Sequence, residues 1–262
     1  MSDFSKRKSS FRRLTDRLAV VCVIFGLLIL IVTLFPPAVE THGRGGDRIF
    51  CNIHLNQIGL ALLEYNAKYS SLPPAFVRGP DGQPWHSWRV LILPFMDQQQ
   101  LFDEYRFDEP WNGPHNRKLL TRRPEAFQCD HAKGKISASD TTYLAVVGSE
   151  TAWPAPEAIE IEDLHGEWSN VILVVEVRDA GVPWLAPVDL TFEEACVVPS
   201  DKPGKRPSSF HIGNADIGGA HVLLGDGSVR FISKYIQSSK NIDASTWKGL
   251  LTRDGGETLG DF

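Results

Sequence analysis

At 262 residues, with 42% hydrophobic and 23% charged side chains, the chain can fill one sizeable core and is too apolar to be disordered throughout. Its net charge of −5 is unevenly placed: residues 1–17 carry Lys6, Arg7, Lys8, Arg12, Arg13 and Arg17 against Asp3 and Asp16, and the remainder is acidic. An acidic body repels a phosphate backbone, so nucleic acid is excluded as its partner.

Residues 18–35, LAVVCVIFGLLILIVTLF, contain no charge and would span about 27 Å as a helix, close to the hydrocarbon thickness of a bilayer. The expectation is one transmembrane helix, partnered by the lipid bilayer of the cell inner membrane. The basic cluster before it predicts a cytoplasmic tail over 1–17 and an extracytoplasmic body. No A-x-A cleavage site follows the apolar run, which favours an uncleaved anchor over a signal peptide. Residues 36–46, with Pro36, Pro37, Gly43, Gly45 and Gly46, read as a linker. The body is then 47–262.

Cys22 falls within the apolar run, which leaves Cys51, Cys129 and Cys196 on an oxidising side. No two of these lie at zinc-site spacing. Two of the three are expected to pair, with Cys51–Cys129 the preferred disulfide.

Residues 47–69 predict one long amphipathic helix. Asp47 is its cap and Pro73-Pro74 its stop. Ile58, Leu62, Tyr65 and Tyr69 form its buried stripe, continued backwards through His54, Ile53 and Ile49. After an exposed turn around residues 79–82, Trp88, Leu91, Ile92, Phe95 and Met96 share a helical face, with Pro94 confined to a first turn or a kink. Residues 106–117 read as a loop. The runs 142–147 and 171–175 are β-branched and predict buried strands, and 182–198 reads as an irregular or strand-bearing insertion. Residues 220–232 predict a hairpin whose Asp226-Gly227 signals a type I′ turn. A short capped helix is expected over 243–253.

Several ordered blocks carry a resemblance. They are Cys51-x3-Leu-x-Gln57-Ile-Gly-Leu-Ala, Pro73-Pro-Ala-Phe, His86-Ser-Trp-Arg-Val, Glu109-Pro-Trp-Asn, Tyr143-Leu-Ala-Val-Val-Gly, Ser169-Asn-x-Ile-Leu-Val-Val-Glu176 and Gly219-Ala-x-Val-Leu-x-x-Asp-Gly-Ser-Val-Arg-Phe. In this order they resemble a prepilin-like family of unknown function expanded in planctomycete bacteria, with a C-terminal H-x9-D-G hallmark. The resemblance implies an α+β, type IV pilin-like or pseudopilin-like domain over 47–262, its long helix packed on an antiparallel β-sheet, and it implies no enzyme activity. The chain departs from that pattern in three places. The G-F-T-L-I-E leader is missing, glycines interrupt the start of the helix, and Asp216 stands at the hallmark histidine, with His211 five residues earlier.

Candidate chemistry is sparse. Asp216 and Asp226 together offer oxygen ligands to calcium, although two carboxylates are far short of a full set and a plain hairpin turn competes. His211 and His221 with Asp216 fit a 2-His-1-carboxylate pattern. Neither G-x-S-x-G nor H-E-x-x-H is present, so no catalytic residue is assigned. His86, Trp88 and Arg89, with Trp111 of the Glu109-Pro-Trp-Asn block, suit carbohydrate or peptide recognition, since an indole stacks while polar neighbours hydrogen-bond. The competing reading is that both blocks pin loops and that their tryptophans are core. The expected role is structural, or in assembly with envelope or pilus-like components. An anchored carbohydrate-binding or peptide-binding module using Trp85, Trp88 and Trp111 is the alternative.

Overall fold

The computed structural model describes residues 44–129, 137–159, 168–178, 180–196, 211–212, 219–233 and 244–255. The basic tail, the expected span 18–35 and residues 36–43 of the linker lie outside the described residues.

Helix α1 runs Arg44–Tyr69, 26 residues, and begins upstream of the expected Asp47 cap. It takes in Gly45 and Gly46, which the sequence reading placed in a linker. Each glycine costs about 1 kcal/mol relative to alanine inside a helix, which is small beside the packing of a long amphipathic face. The helix ends at Ser70, whose φ is 59° and whose N–H donates to the Asn66 carbonyl at 2.7 Å. Cys51, His54, Leu55, Ile58, Ala61 and Leu62 form its buried stripe. Ile49, Ile53 and Tyr69, expected on that stripe, are 61%, 44% and 51% exposed. Ile53 is two residues from Cys51 and Leu55, and at about 100° per residue it points to the opposite side.

Strands β1 (Phe76–Arg78) and β2 (Pro84–Ser87) make a small antiparallel hairpin that leads directly into α2 (Trp88–Leu91). A 3₁₀ turn over Leu93–Met96 follows, with Pro94 in its first turn, and then α3 (Gln99–Glu104). Two further 3₁₀ segments, Asn116–Arg122 and Glu125–Phe127, bring the chain to Cys129. Strand β3 (Asp140–Thr141) pairs with β6 (Val182–Pro183) as a second small ladder.

The main sheet uses β4 (Tyr143–Val147), β5 (Ile172–Arg178), β7 (Leu190–Thr191), β9 (Gly219–Leu224) and β10 (Val229–Ser233), in the order β10-β9-β5-β4-β7. A two-residue strand, β8 (His211–Ile212), pairs with the end of β5. Both faces are buried. Tyr143, Ala145, Leu173, Val174 and Leu223 pack with α1, while Leu144, Val146, Ile172, Val175 and Val222 pack with Trp247, Leu250 and Leu251 around α5 (Ala244–Leu250). A bulge between Ile172 and Val174 lets two consecutive residues, Leu173 and Val174, face α1. Helix α4 (Phe192–Ala195) opens on a capping box made by Thr191 and Glu194.

The expected fold class is corrected. Among the described residues no helix is long and apolar enough to cross a membrane. The sheet is mixed rather than antiparallel, because β4 and β7 run parallel, Val146 opposite Leu190 and Val147 opposite Thr191. The chain leaves β4, passes through β5 and β6, and returns to the far edge of β4, a route that only a crossover allows. The domain is therefore α+β with a five-strand mixed sheet buried on both faces. The 220–232 turn also differs from type I′. Gly227 has φ 82° but Asp226 does not have positive φ. The Gly227 N–H donates to the Leu224 carbonyl at 3.0 Å, so the turn is a three-residue loop with glycine in the left-handed position.

Gly59 is where α1 meets this turn. A Cβ there would lie 2.7 Å from Leu223 Cδ1 and 3.2 Å from the Gly227 carbonyl oxygen. Gly59→Val is therefore expected to destabilise the fold by about 2 kcal/mol through overpacking, read as a lowered midpoint in denaturant with an unchanged slope.

Candidate functional site

Strand β2 delivers His86 and Ser87 to the interior, and Ser87 caps α2 by accepting the Arg89 N–H at 3.3 Å. Trp88 and Arg89 are fully buried, and His86 nearly so. The guanidinium lies 4.7 Å from the Trp88 ring centroid. Its Nη2 donates to Asp189 Oδ1 at 2.6 Å and to the Tyr143 carbonyl at 2.9 Å, and Nη1 donates to Ser87 Oγ at 2.9 Å. Asp189 Oδ1 also accepts the Ala145 N–H at 2.8 Å and Trp88 Nε1–H at 3.2 Å.

The backbone geometry explains this arrangement. Leu144 is paired with Val175 across β5, so the polar groups of Tyr143 and Ala145 point to the other side, where the two-residue β7 is too short to reach them. Arg89 and Asp189 supply the missing donor and acceptor. Burial pushes the Asp189 carboxyl up and the Arg89 guanidinium down, each against the pull of the other's charge.

His86 donates to or accepts from the Tyr105 hydroxyl through Nδ1 at 2.8 Å, and its ring meets Phe107 edge-on at 5.0 Å. Burial lowers its pKa, with a hydrogen bond to the Phe107 backbone opposing, and burial raises that of the Tyr105 hydroxyl. The Glu109-Pro110-Trp111-Asn112 block is a loop folded around Asn116. That side chain accepts the Arg106 N–H at 2.9 Å and donates to the Arg106, Glu109 and Pro110 carbonyls. Glu109 Oε1 in turn accepts the N–H groups of His115 and Asn116. Trp111 is half-buried and its backbone N–H donates to the Trp85 carbonyl at 3.0 Å. The structure thus turns the polar groups of His86, Trp88 and Arg89 to internal partners, and holds the half-buried Trp111 through its backbone N–H.

Cys51 and Cys129 are joined, their Cα atoms 5.1 Å apart across 78 residues. Beside them the α1-facing side of the sheet carries Glu176 on β5 and His221 on β9, both 2% exposed. The His221 N–H and Nδ1 both meet Glu176 Oε2, at 3.0 and 2.7 Å. Of the expected calcium pair, only Asp226 falls among the described residues. Asp226 is exposed and its Oδ1 accepts the Ser228 N–H at 2.9 Å, while Asp216 and the His211 side chain lie outside the described residues. Sequence reasoning missed Asp189, Asn116 and the Glu176–His221 pair. Of these, Glu176 carries a signal as a charge inside an apolar strand run, and His221 stands out in the sequence but with Asp216 as its expected partner.

Residues 48–167 match the model of a family described as a protein of unknown function, DUF1559. The matched stretch contains Cys51, His86–Arg89, Trp111 and Cys129, and it ends before Glu176, Asp189 and His221. Neither the curated proteins nor the solved structures contain a match to the chain.

Arg89→Met leaves Asp189 as an unpaired buried charge and is expected to cost about 3–5 kcal/mol, whereas Arg89→Met/Asp189→Asn recovers at least about 1 kcal/mol of that loss in chemical denaturation. For His86 the folded pKa lies below the unfolded value of about 6.5, so below that pH the unfolded state binds more protons and stability falls. Thermal unfolding should therefore show a steeper loss of Tm on acidification from pH 7 to 5 in the wild type than in His86→Phe.

Proposed function

We propose that the body of this chain is an extracytoplasmic scaffold with a structural or assembly role in the cell envelope, and that it is not a catalyst. The observation that carries this reading is the Cys51–Cys129 disulfide, which ties the long helix to the segment ahead of β4. Disulfides of this structural kind persist in oxidising compartments and are rare in reducing ones. The chain-entropy argument gives a bridge closing 78 residues about 4 kcal/mol of stabilisation.

The disposition of the polar side chains supports the same reading. Arg89, Asp189, Asn116, Glu109 and Ser87 are engaged in hydrogen bonds that hold loops and strand edges. The likeness to prepilin-like proteins of planctomycete bacteria belongs to this proposal, as does the match to a family of unknown function. The alternative binding module loses Trp88, the fully buried first residue of α2, and retains the half-buried Trp85 and Trp111.

The test is protease protection in spheroplasts that express the full chain, followed by non-reducing peptide mapping. The body is expected to be cleaved from outside while a cytoplasmic marker survives, and a Cys51–Cys129 peptide is expected in the digest. A body protected until lysis, or one with both thiols free, overturns the proposal. Cys51→Ser/Cys129→Ser should unfold about 4 kcal/mol more easily than the oxidised wild type.

A further inference from the structure

We infer that the Cys51–Cys129 pair, once reduced, forms a zinc site with Glu176 as third ligand, so that one buried position holds either a disulfide or a metal ion. The two sulfurs and a Glu176 carboxylate oxygen all lie within 4.8 Å of one another, and all three residues are buried. Two thiolates on one tetrahedral zinc stand about 3.8 Å apart, with a carboxylate oxygen about 3.5 Å from each. Opening the sulfur–sulfur bond and closing the carboxylate onto the pair therefore needs side-chain movements of only about 1–2 Å.

The carboxylate is already oriented for this. The backbone N–H and Nδ1 of His221 both meet Glu176 Oε2, and neither uses the capacity of Oε1. An outer hydrogen bond of this kind fixes a ligating carboxylate. The three ligands come from α1, from the segment after Glu125–Phe127 and from β5, so the ion would hold the two elements that the disulfide joins and add β5 to them. Two soft thiolates with one carboxylate suit zinc and do not suit calcium or magnesium, which take oxygen ligands.

The exchange balances. A dithiol donor passes two electrons and two protons to the cystine, the sulfur–sulfur bond breaks, two thiols form and the donor leaves as its own disulfide. Zinc then displaces the two thiol protons to solvent as the zinc–sulfur bonds form. In the reverse direction a disulfide-bearing oxidant takes two electrons from the thiolates and leaves as its dithiol, the Cys51–Cys129 bond re-forms and the ion is released.

The experiment uses the full chain carrying Cys22→Ala and Cys196→Ala, so that only Cys51 and Cys129 remain. It is reduced with a water-soluble phosphine, which with water takes up the same two oxidising equivalents as its oxide, and is then titrated with Co²⁺ and back-titrated with Zn²⁺. One Co²⁺ per chain is expected, with a sulfur-to-cobalt charge-transfer band and tetrahedral ligand-field bands that Zn²⁺ bleaches. The oxidised chain should give neither. Glu176→Gln should weaken Co²⁺ binding at least tenfold, and Cys129→Ser, which leaves one thiolate, should cut the charge-transfer intensity per bound Co²⁺ to about half or less. Zinc absorption spectroscopy on the unmutated site supplies a measurement that does not depend on a variant folding, and it should report two sulfurs with oxygen or nitrogen in the remaining positions. If the reduced chain unfolds without metal, Zn²⁺ is expected to restore its circular dichroism. No sulfur in the metal's coordination shell, an affinity unchanged by Glu176→Gln, or a reduced chain that stays unfolded with Zn²⁺ would each overturn the assignment.

Discussion

The edge of β4 is the constraint on which the rest of the domain depends. This strand is interior to the sheet, yet its neighbour on one side contributes only Leu190 and Thr191. If nothing replaced the missing strand, the Ala145 N–H would be buried without a partner, at a cost of about 1–3 kcal/mol, and the Tyr143 carbonyl would lose the two guanidinium donors that reach it. An arginine from α2 and an aspartate from the residue before β7 replace that strand. The ion pair is thus part of the sheet's own hydrogen bonding, and the two charges are tolerated because each also satisfies a backbone group. Removing one partner damages both the pair and the strand, and the position of the β1–β2 hairpin follows from the same contact, since β2 runs directly into Arg89.

A second consequence of a sheet buried on both faces is that a polar side chain on any central strand must find its partner within the core. Glu176 and His221 stand on β5 and β9, on the face that receives α1. The bulge at Ile172–Val174 sets the phase of β5 so that Glu176 shares a face with Val174 and the Tyr143 side chain rather than with Val175. Without that extra residue the carboxylate would point into the Trp247 side, among apolar groups only, where an unpaired charge is strongly disfavoured. The bulge therefore decides which of the two cores contains the polar pair, and so places it beside the disulfide.

Legibility in the sequence tracked the range of the interactions involved. The long helix, the β4 and β5 runs, the 220–232 hairpin and the tail helix carried their own periodicity, because local spacing decides which face is apolar. The helix stripe was misphased at Ile49 and Ile53 because apolar residues occur on both sides of α1, and only the contact with Leu223 and the disulfide selects the side of Cys51 and Leu55. The two-residue strands β7 and β8 lack any period, and the parallel pairing of β4 with β7 joins residues more than 40 apart. His86, Trp88 and Arg89 stood out as a polar and aromatic block, but a sugar platform and a capped buried turn have the same composition. What separates them is Asp189, 100 residues further on, in a stretch with no signal of its own.

Among the described residues, the buried polar groups of Arg89–Asp189, Asn116 and Glu176 share one role: each serves a backbone group of another segment. Arg89 and Asp189 serve β4, and Asn116 serves the Arg106, Glu109 and Pro110 backbone. Glu176 on β5 accepts the His221 N–H of β9 just beyond the last ladder pair, Val175 with Val222, so the side chain takes over where the strands stop pairing. Glu176 differs from the others in its surroundings. An oxygen of its carboxylate and the two sulfurs of Cys51 and Cys129 all lie within 4.8 Å of one another, so this acidic group stands beside the sulfur pair that ties α1 to the segment ahead of β4.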